Sequence, residues 1–130
     1  MLTGVGTDTI EIERIAKACT NERFLERIYT LAERQYCFSH KNPYPSLAAR
    51  FAAKEAVLKA LGTGLAGCRF TDIEVIANYP GGPPTVKLSG GARKVADKKG
   101  VDKVLISLSH DRTTAVAFAV AVAGGDHRCS

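Results

Sequence analysis

The chain has 130 residues, 45% of them hydrophobic, with 18 Lys and Arg against 13 Asp and Glu, a formal charge of +5 and a pI near 9.2. That length is one domain's worth, expected over 1–123 with a tail at 124–130, and the apolar content argues against disorder. The charge favours an anionic partner, whether nucleic acid, a phosphorylated cofactor or an acidic protein, without choosing among them.

No apolar run reaches the ~18 residues of a membrane helix. Met1 to Asp8 has no basic region followed by an apolar stretch, so no signal peptide is expected and the cytoplasm is the expected compartment. The 4 cysteines, at 19, 37, 68 and 129, include no C-x-x-C pair, and free thiols are expected.

In chain order, Leu2 to Thr7 reads as a strand with Gly4 and Gly6 on one face, leaving room there for another backbone or a ligand. Asp8 or Thr9 then reads as the cap of a helix running to Cys19, with Ile12, Ile15 and Ala16 as its apolar stripe. Asn21 caps a second helix carrying Phe24, Leu25 and Ile28. Thr30 with Glu33 forms a capping-box pattern for a third. The run Asn42-Pro43-Tyr44-Pro45 breaks it, and the longest helix, rich in alanine, runs from Ser46 to a stop at Gly62.

Beyond Gly67 the period shortens. Ile73 to Ala77 and Thr85 to Leu88 read as a hairpin, and 90–99 as a basic helix. Val104 to Ser109 and Thr114 to Ala123 form a second hairpin turning at Asp111-Arg112. Its last strand is apolar on both faces, so both should be covered, one of them at close range. This order of elements gives an α+β domain with an N-terminal strand, several helices, one of them long, and antiparallel hairpins.

Several side chains could carry chemistry, and each has a plain structural alternative. Asp8 is either an N-cap or, beside the small Gly4 and Gly6, a carboxylate facing a bound group. Glu55 and Lys59 share a helix face as an ordinary ion pair, unless burial gives Glu55 a metal to hold. Gly62-Thr63-Gly64 is a helix stop or a phosphate loop; because a helix C-terminus repels anions, the second reading needs help from Lys59 or another cation. His110 ends a strand, where a functional side chain and an exposed turn histidine are equally at home. Together these residues are consistent with Mg²⁺ and a polyphosphate, since that ion takes one or two carboxylates and completes its shell with water and phosphate oxygens.

In combination, Gly4-Val5-Gly6-Thr7-Asp8, Arg50-Phe51-Ala52-Ala53-Lys54-Glu55-Ala56 and Ser107-Leu108-Ser109-His110 resemble the holo-acyl-carrier-protein synthase family of phosphopantetheinyl transferases. The resemblance runs from residue 2 to about 122 and also takes in Gly62-Thr63-Gly64 and Asp72-Ile73-Glu74-Val75. It implies that the 4'-phosphopantetheine arm of coenzyme A passes to a serine of an acyl carrier protein, releasing adenosine 3',5'-bisphosphate and serving fatty acid biosynthesis. It also implies a homotrimer with coenzyme sites between subunits. Asp8 and Glu55 would hold Mg²⁺, Lys59 would offset charge on the bridging phosphate, and Arg50 and His110 would contact the coenzyme's phosphates, with Gly62, Thr63 and Gly64 lining the same site. Arg14, Lys17, Arg23, Phe24 and Arg27 would dock the acidic carrier. Glu55 through a metal-bound water, a partner carboxylate and bulk water all stay open as the general base. The segment His40 to Ser46 departs from the family pattern, with two prolines and only Lys41 as a full positive charge.

Two other readings fit the charge. A nucleic-acid module could use Arg93, Lys94, Lys98 and Lys99, although the chain has 0 Trp and no basic-aromatic interleaving. A different Mg²⁺-dependent phosphate enzyme, such as a nucleotide hydrolase, would use the same carboxylates.

Overall fold

The computed structural model describes residues 1–79 and 82–124. The tail expected from 124 onwards therefore lies, apart from Gly124, outside the described residues.

The chain opens with strand β1 (Leu2–Glu11) and three short helices, α1 (Ile12–Ala18), α2 (Glu22–Ile28) and α3 (Leu31–Phe38). The long helix α4 (Tyr44–Leu61) follows. A 3-10 turn at Phe70–Asp72 leads into β2 (Ile73–Ile76) and β3 (Thr85–Leu88), then α5 (Gly90–Lys98), β4 (Lys103–His110) and β5 (Thr114–Val122). The strands form an antiparallel sheet in the order β1-β5-β4 and a separate β2-β3 hairpin. The α+β reading holds.

Helix α4 sits between the three-stranded sheet and the layer of α1, α3 and β2. Alanines 52, 53 and 56 are fully buried, as are Leu47 and Val57, so no polar stripe marks a solvent side. The sheet side is unusually close. A Cβ added at Gly4 would fall against the carbonyl oxygen of Ala60, and one at Gly6 against that of Ala56. Opposite them, Ala117, Ala119 and Ala121 of β5 are buried in the same core. Of the two occupants that the small Gly4-Gly6 face could admit, the structure has a backbone: that of α4. A second core, with Ile15, Leu25, Ile28 and Tyr29, lies beneath the short helices. Its thiols are free; burial pushes those of Cys19 and Cys37 up to about 11.

The helix caps at Asn21 and Thr30 form as expected. Asn21 Oδ1 accepts from the Arg23 amide at 2.8 Å. Thr30 Oγ1 accepts from the Glu33 amide at 3.2 Å, and Glu33 Oε1 accepts from the Thr30 amide at 2.9 Å.

Three expectations are corrected. The first strand does not stop at Thr7: its ladder with β5 continues through Asp8↔Ala117 to Glu11↔Thr114. Helix α1 starts only at Ile12, capped by Glu11 without a side-chain bond. Neither Asp8 nor Thr9 is an N-cap, because strand pairing satisfies the backbone there. The long helix begins at Tyr44 rather than Ser46, with Pro45 in its first turn, where the missing N–H leaves nothing unpaired. Last, among the described residues only the alanine face of β5 is fully buried. On the other face Phe118 is 55% exposed beside Val5 at 62% and Leu105 at 51%.

Candidate active site

Asp8 lies on the β1 face that packs against α4, next along that face after Gly4 and Gly6, the two glycines that bring strand and helix together. Glu55 and Lys59 come from successive turns of that helix. Lys59 turns to the strand: Nζ donates to Asp8 Oδ1 at 3.2 Å and to the Thr7 carbonyl at 2.9 Å. The expected ordinary pair between Glu55 and Lys59 is not among the ion pairs of the described residues. Loss of water raises the Glu55 carboxyl above its usual range; the Asp8 charge adds to this, and Lys59 only partly opposes it. Two carboxylates thus lie near one ammonium that bonds Asp8 and not Glu55 among the described residues, an arrangement that could take a divalent cation. Among the described residues no three His, Cys, Asp or Glu groups converge. An ion held by Asp8 and Glu55 would fill its remaining positions with water and phosphate oxygens, as Mg²⁺ commonly does.

Gly62 closes α4 in the left-handed region at φ 74°, and Gly64 follows at φ 58°, both conformations that glycine takes without steric cost. The negative end of the α4 dipole would oppose an anion here, but Lys99 Nζ donates to the Leu61 carbonyl oxygen. Lys99, Lys59 and Gly62 line one cleft of about 330 Å³. The basic composition of α5 was legible; the specific reach of Lys99 to α4 was not, because it depends on how the two helix ends meet.

Arg50 and His110 lie elsewhere. They share a cleft of about 340 Å³ with Tyr36, Tyr79 and Ser109, and neither Asp8 nor Glu55 lines it. Within one chain the residues expected to bind coenzyme therefore form two separate groups.

On α1 and α2, Arg14, Lys17, Arg23 and Arg27 are all exposed. Among the described residues none of the four is within ion-pair distance of a carboxylate, so the interleaved Glu22 and Glu26 do not neutralise them. Phe24 is half-buried and stacks on Phe51 at 6.2 Å, which stacks in turn on Phe70 at 5.8 Å. Phe51 precedes Glu55 by one helical turn, so this aromatic row leads from the basic helices towards the carboxylates.

Sequence reasoning missed one charged pair. Lys54 and Glu33, fully buried, are 2.8 Å apart. Lys54 Nζ also donates to the carbonyl oxygens of Phe70, at 3.1 Å, and Ile73. Glu33 Oε2 accepts from the Val75 amide at 2.7 Å. Burial lowers the Lys54 pKa, and Glu33 opposes the fall. The pair ties α3, α4 and β2 together behind the site. The capping-box pattern marked Glu33, but nothing in the local pattern joined it to Lys54.

Residues 4–121 match the model of the 4'-phosphopantetheinyl transferase superfamily. The chain is 51% identical over 124 residues to the holo-[acyl-carrier-protein] synthase of Desulforudis audaxviator, covering 94% of each chain. Its fold is similar to that of the Neisseria meningitidis holo-[acyl-carrier-protein] synthase, with a TM-score of 0.84, 33% identity and coverage of 94% of this chain and 99% of that one. It is also similar to the Bacillus anthracis synthase in complex with CoA (3',5'-ADP), with a TM-score of 0.78, 37% identity and coverage of 95% and 99%. The chain belongs to the holo-[acyl-carrier-protein] synthase family and is a phosphopantetheinyl transferase enzyme.

Proposed function

We propose that this enzyme transfers 4'-phosphopantetheine from coenzyme A to a serine of an apo acyl carrier protein in a Mg²⁺-dependent reaction, supplying holo carrier for fatty acid biosynthesis in the cytoplasm. The observation that carries the reading is the meeting of Asp8, Glu55 and Lys59 where β1 crosses α4.

Asp8 and Glu55 would hold Mg²⁺, which when bound would counter the charge of the coenzyme's pyrophosphate. Lys59, whose Nζ is held by the Thr7 carbonyl and Asp8, would present its ammonium to the bridging oxygen. The carrier serine oxygen forms a bond to the phosphorus bearing pantetheine. The bond from that phosphorus to the bridging oxygen breaks, and adenosine 3',5'-bisphosphate leaves with the electron pair. The serine proton passes to a base. Catalysis of this kind rests on positioning and on charge already in place.

Arg50 and His110 would take coenzyme phosphates from a neighbouring copy. Their separation from the carboxylates within one chain supports a site shared between subunits, and the open apolar face at Val5, Leu105 and Phe118 supports self-association as a homotrimer. The exposed arginines of α1 and α2, which form no ion pair among the described residues, support docking of an acidic carrier helix there.

The test is incubation with coenzyme A, Mg²⁺ and an apo carrier protein. A carrier mass gain of one phosphopantetheine is expected, with none when Mg²⁺ is chelated. An unmodified carrier under full Mg²⁺ would refute the reading.

A further inference from the structure

We infer that Tyr36 is a positioning residue for coenzyme binding, holding the Arg50 guanidinium by its ring face so that the arginine's N–H groups stay free for a phosphate. The inference rests on the reading above that this chain takes coenzyme A.

Arg50 is only 5% exposed, and a buried guanidinium ordinarily faces a carboxylate. Among the described residues it has none within ion-pair distance, and its buried Nε has no hydrogen-bond partner. Among the described residues its Nη1 donates only to the Ser46 carbonyl, at the outer limit of 3.5 Å. What lies against the group is Tyr36, with the guanidinium carbon 4.6 Å from the ring centroid. The Tyr36 ring is itself steadied by His40. The two centroids are 4.8 Å apart in an edge contact, and His40 Nδ1 lies 2.9 Å from the Tyr36 carbonyl oxygen. Both Tyr36 and Arg50 line the cleft that also holds His110.

An aromatic face attracts a cation without using any of its donors. A carboxylate in the same place would bind the planar fork and compete with a phosphate for it. Tyr36 therefore fixes the guanidinium and leaves its donors unspent.

The experiment is steady-state kinetics on wild type, Tyr36→Leu, Tyr36→Phe, Arg50→Gln and the Tyr36→Leu/Arg50→Gln double variant. Tyr36 is 39% exposed, so losing its ring should not empty the core. Should Tyr36→Leu prove too unstable to assay, Tyr36→Gln removes the same ring face. Tyr36→Leu should raise KM for coenzyme A about fivefold, while Tyr36→Phe, which keeps the ring, should stay within about twofold of wild type. KM for the carrier should not move. In the Arg50→Gln background, removing the ring should have no further effect, whereas a merely structural role would cost the same in both backgrounds. An unchanged coenzyme KM in Tyr36→Leu, or an equal loss in both backgrounds, would overturn the inference while leaving the proposed function standing. A wild type that neither binds nor turns over coenzyme A would overturn both.

Discussion

Lys59 Nζ lies 3.2 Å from Asp8 Oδ1, so the one lysine that shares a helix face with Glu55 is engaged by a strand residue instead. The consequence is a second carboxylate, Glu55, left near Asp8 with too little counter-charge. That arrangement, rather than any single side chain, is what a divalent ion would complete.

Asp8→Asn and Glu55→Gln should each leave the fold intact and reduce Mg²⁺-dependent transfer by at least about a hundredfold. Both changes are nearly isosteric and remove a charge. Asp8 lies within a strand ladder and caps no helix, so a loss of activity in Asp8→Asn has no capping explanation. Circular dichroism with turnover titrated against Mg²⁺ checks this, and normal turnover in Asp8→Asn would remove it from the metal site.

The raised Glu55 carboxyl sets a pH dependence. As pH falls through that raised value, Glu55 gains a proton and loses its capacity to bind a cation. Apparent Mg²⁺ affinity should therefore weaken on the acid side, starting above the ~4.3 of an ordinary glutamate. Removing the Asp8 charge should lower the Glu55 midpoint, and Lys59→Met should raise it. Carboxyl ¹³C titration of the metal-free protein reads this directly. A Glu55 midpoint indifferent to Asp8→Asn would contradict the coupling.

Glu33→Gln should be among the most destabilising single changes. It leaves Lys54 charged and buried without its counter-ion, 2.8 Å from where the carboxylate stood. Breaking a buried pair from one side costs about 3–5 kcal/mol. Adding Lys54→Met should recover much of that loss, since the stranded charge then disappears. Chemical denaturation of the two variants decides it, and a loss below about 1 kcal/mol in Glu33→Gln would mean that Lys54 finds another partner or sheds its proton.

Where the residues state a local rule, the fold was legible. The Thr30-Glu33 box, the Asn21 cap, the stop at Gly62 and the alternation of β5 each depend on neighbours within a few positions. What failed depends on distant partners. β1 continues past Thr7 because β5 reaches Thr114 and offers a ladder, which no feature of residues 8–11 announces. The start of α4 is the exception: Pro45 looked like a breaker, although by a purely local rule a helix's first turn accepts proline. The candidate site divides the same way. Asp8, Glu55 and Lys59 could be named, but Lys59's choice of Asp8 over Glu55 follows from how closely the glycines let β1 approach α4. Arg50 could be named as well. Its ring partner Tyr36, on a different helix, could not.

Reversing Arg14 and Arg27 to Glu should raise KM for the carrier roughly five- to tenfold and leave KM for coenzyme A nearly unchanged. Both arginines are exposed on α1 and α2, and neither lines the clefts that hold Lys59 or Arg50. Among the described residues neither forms an ion pair, so reversal breaks no internal bridge and should barely alter stability. Attraction to an acidic carrier helix would speed the encounter and fade as salt screens it. The wild type should accordingly lose carrier affinity as ionic strength rises, and the double variant should show a flatter dependence. The aromatic row from Phe24 through Phe51 gives this surface a path towards Glu55, as docking for transfer requires. Initial rates with each substrate varied at low and high salt separate docking from chemistry. An unchanged carrier KM in the double variant would move the docking surface off these helices, and the exposed lysines of α5 would be the next charges to reverse.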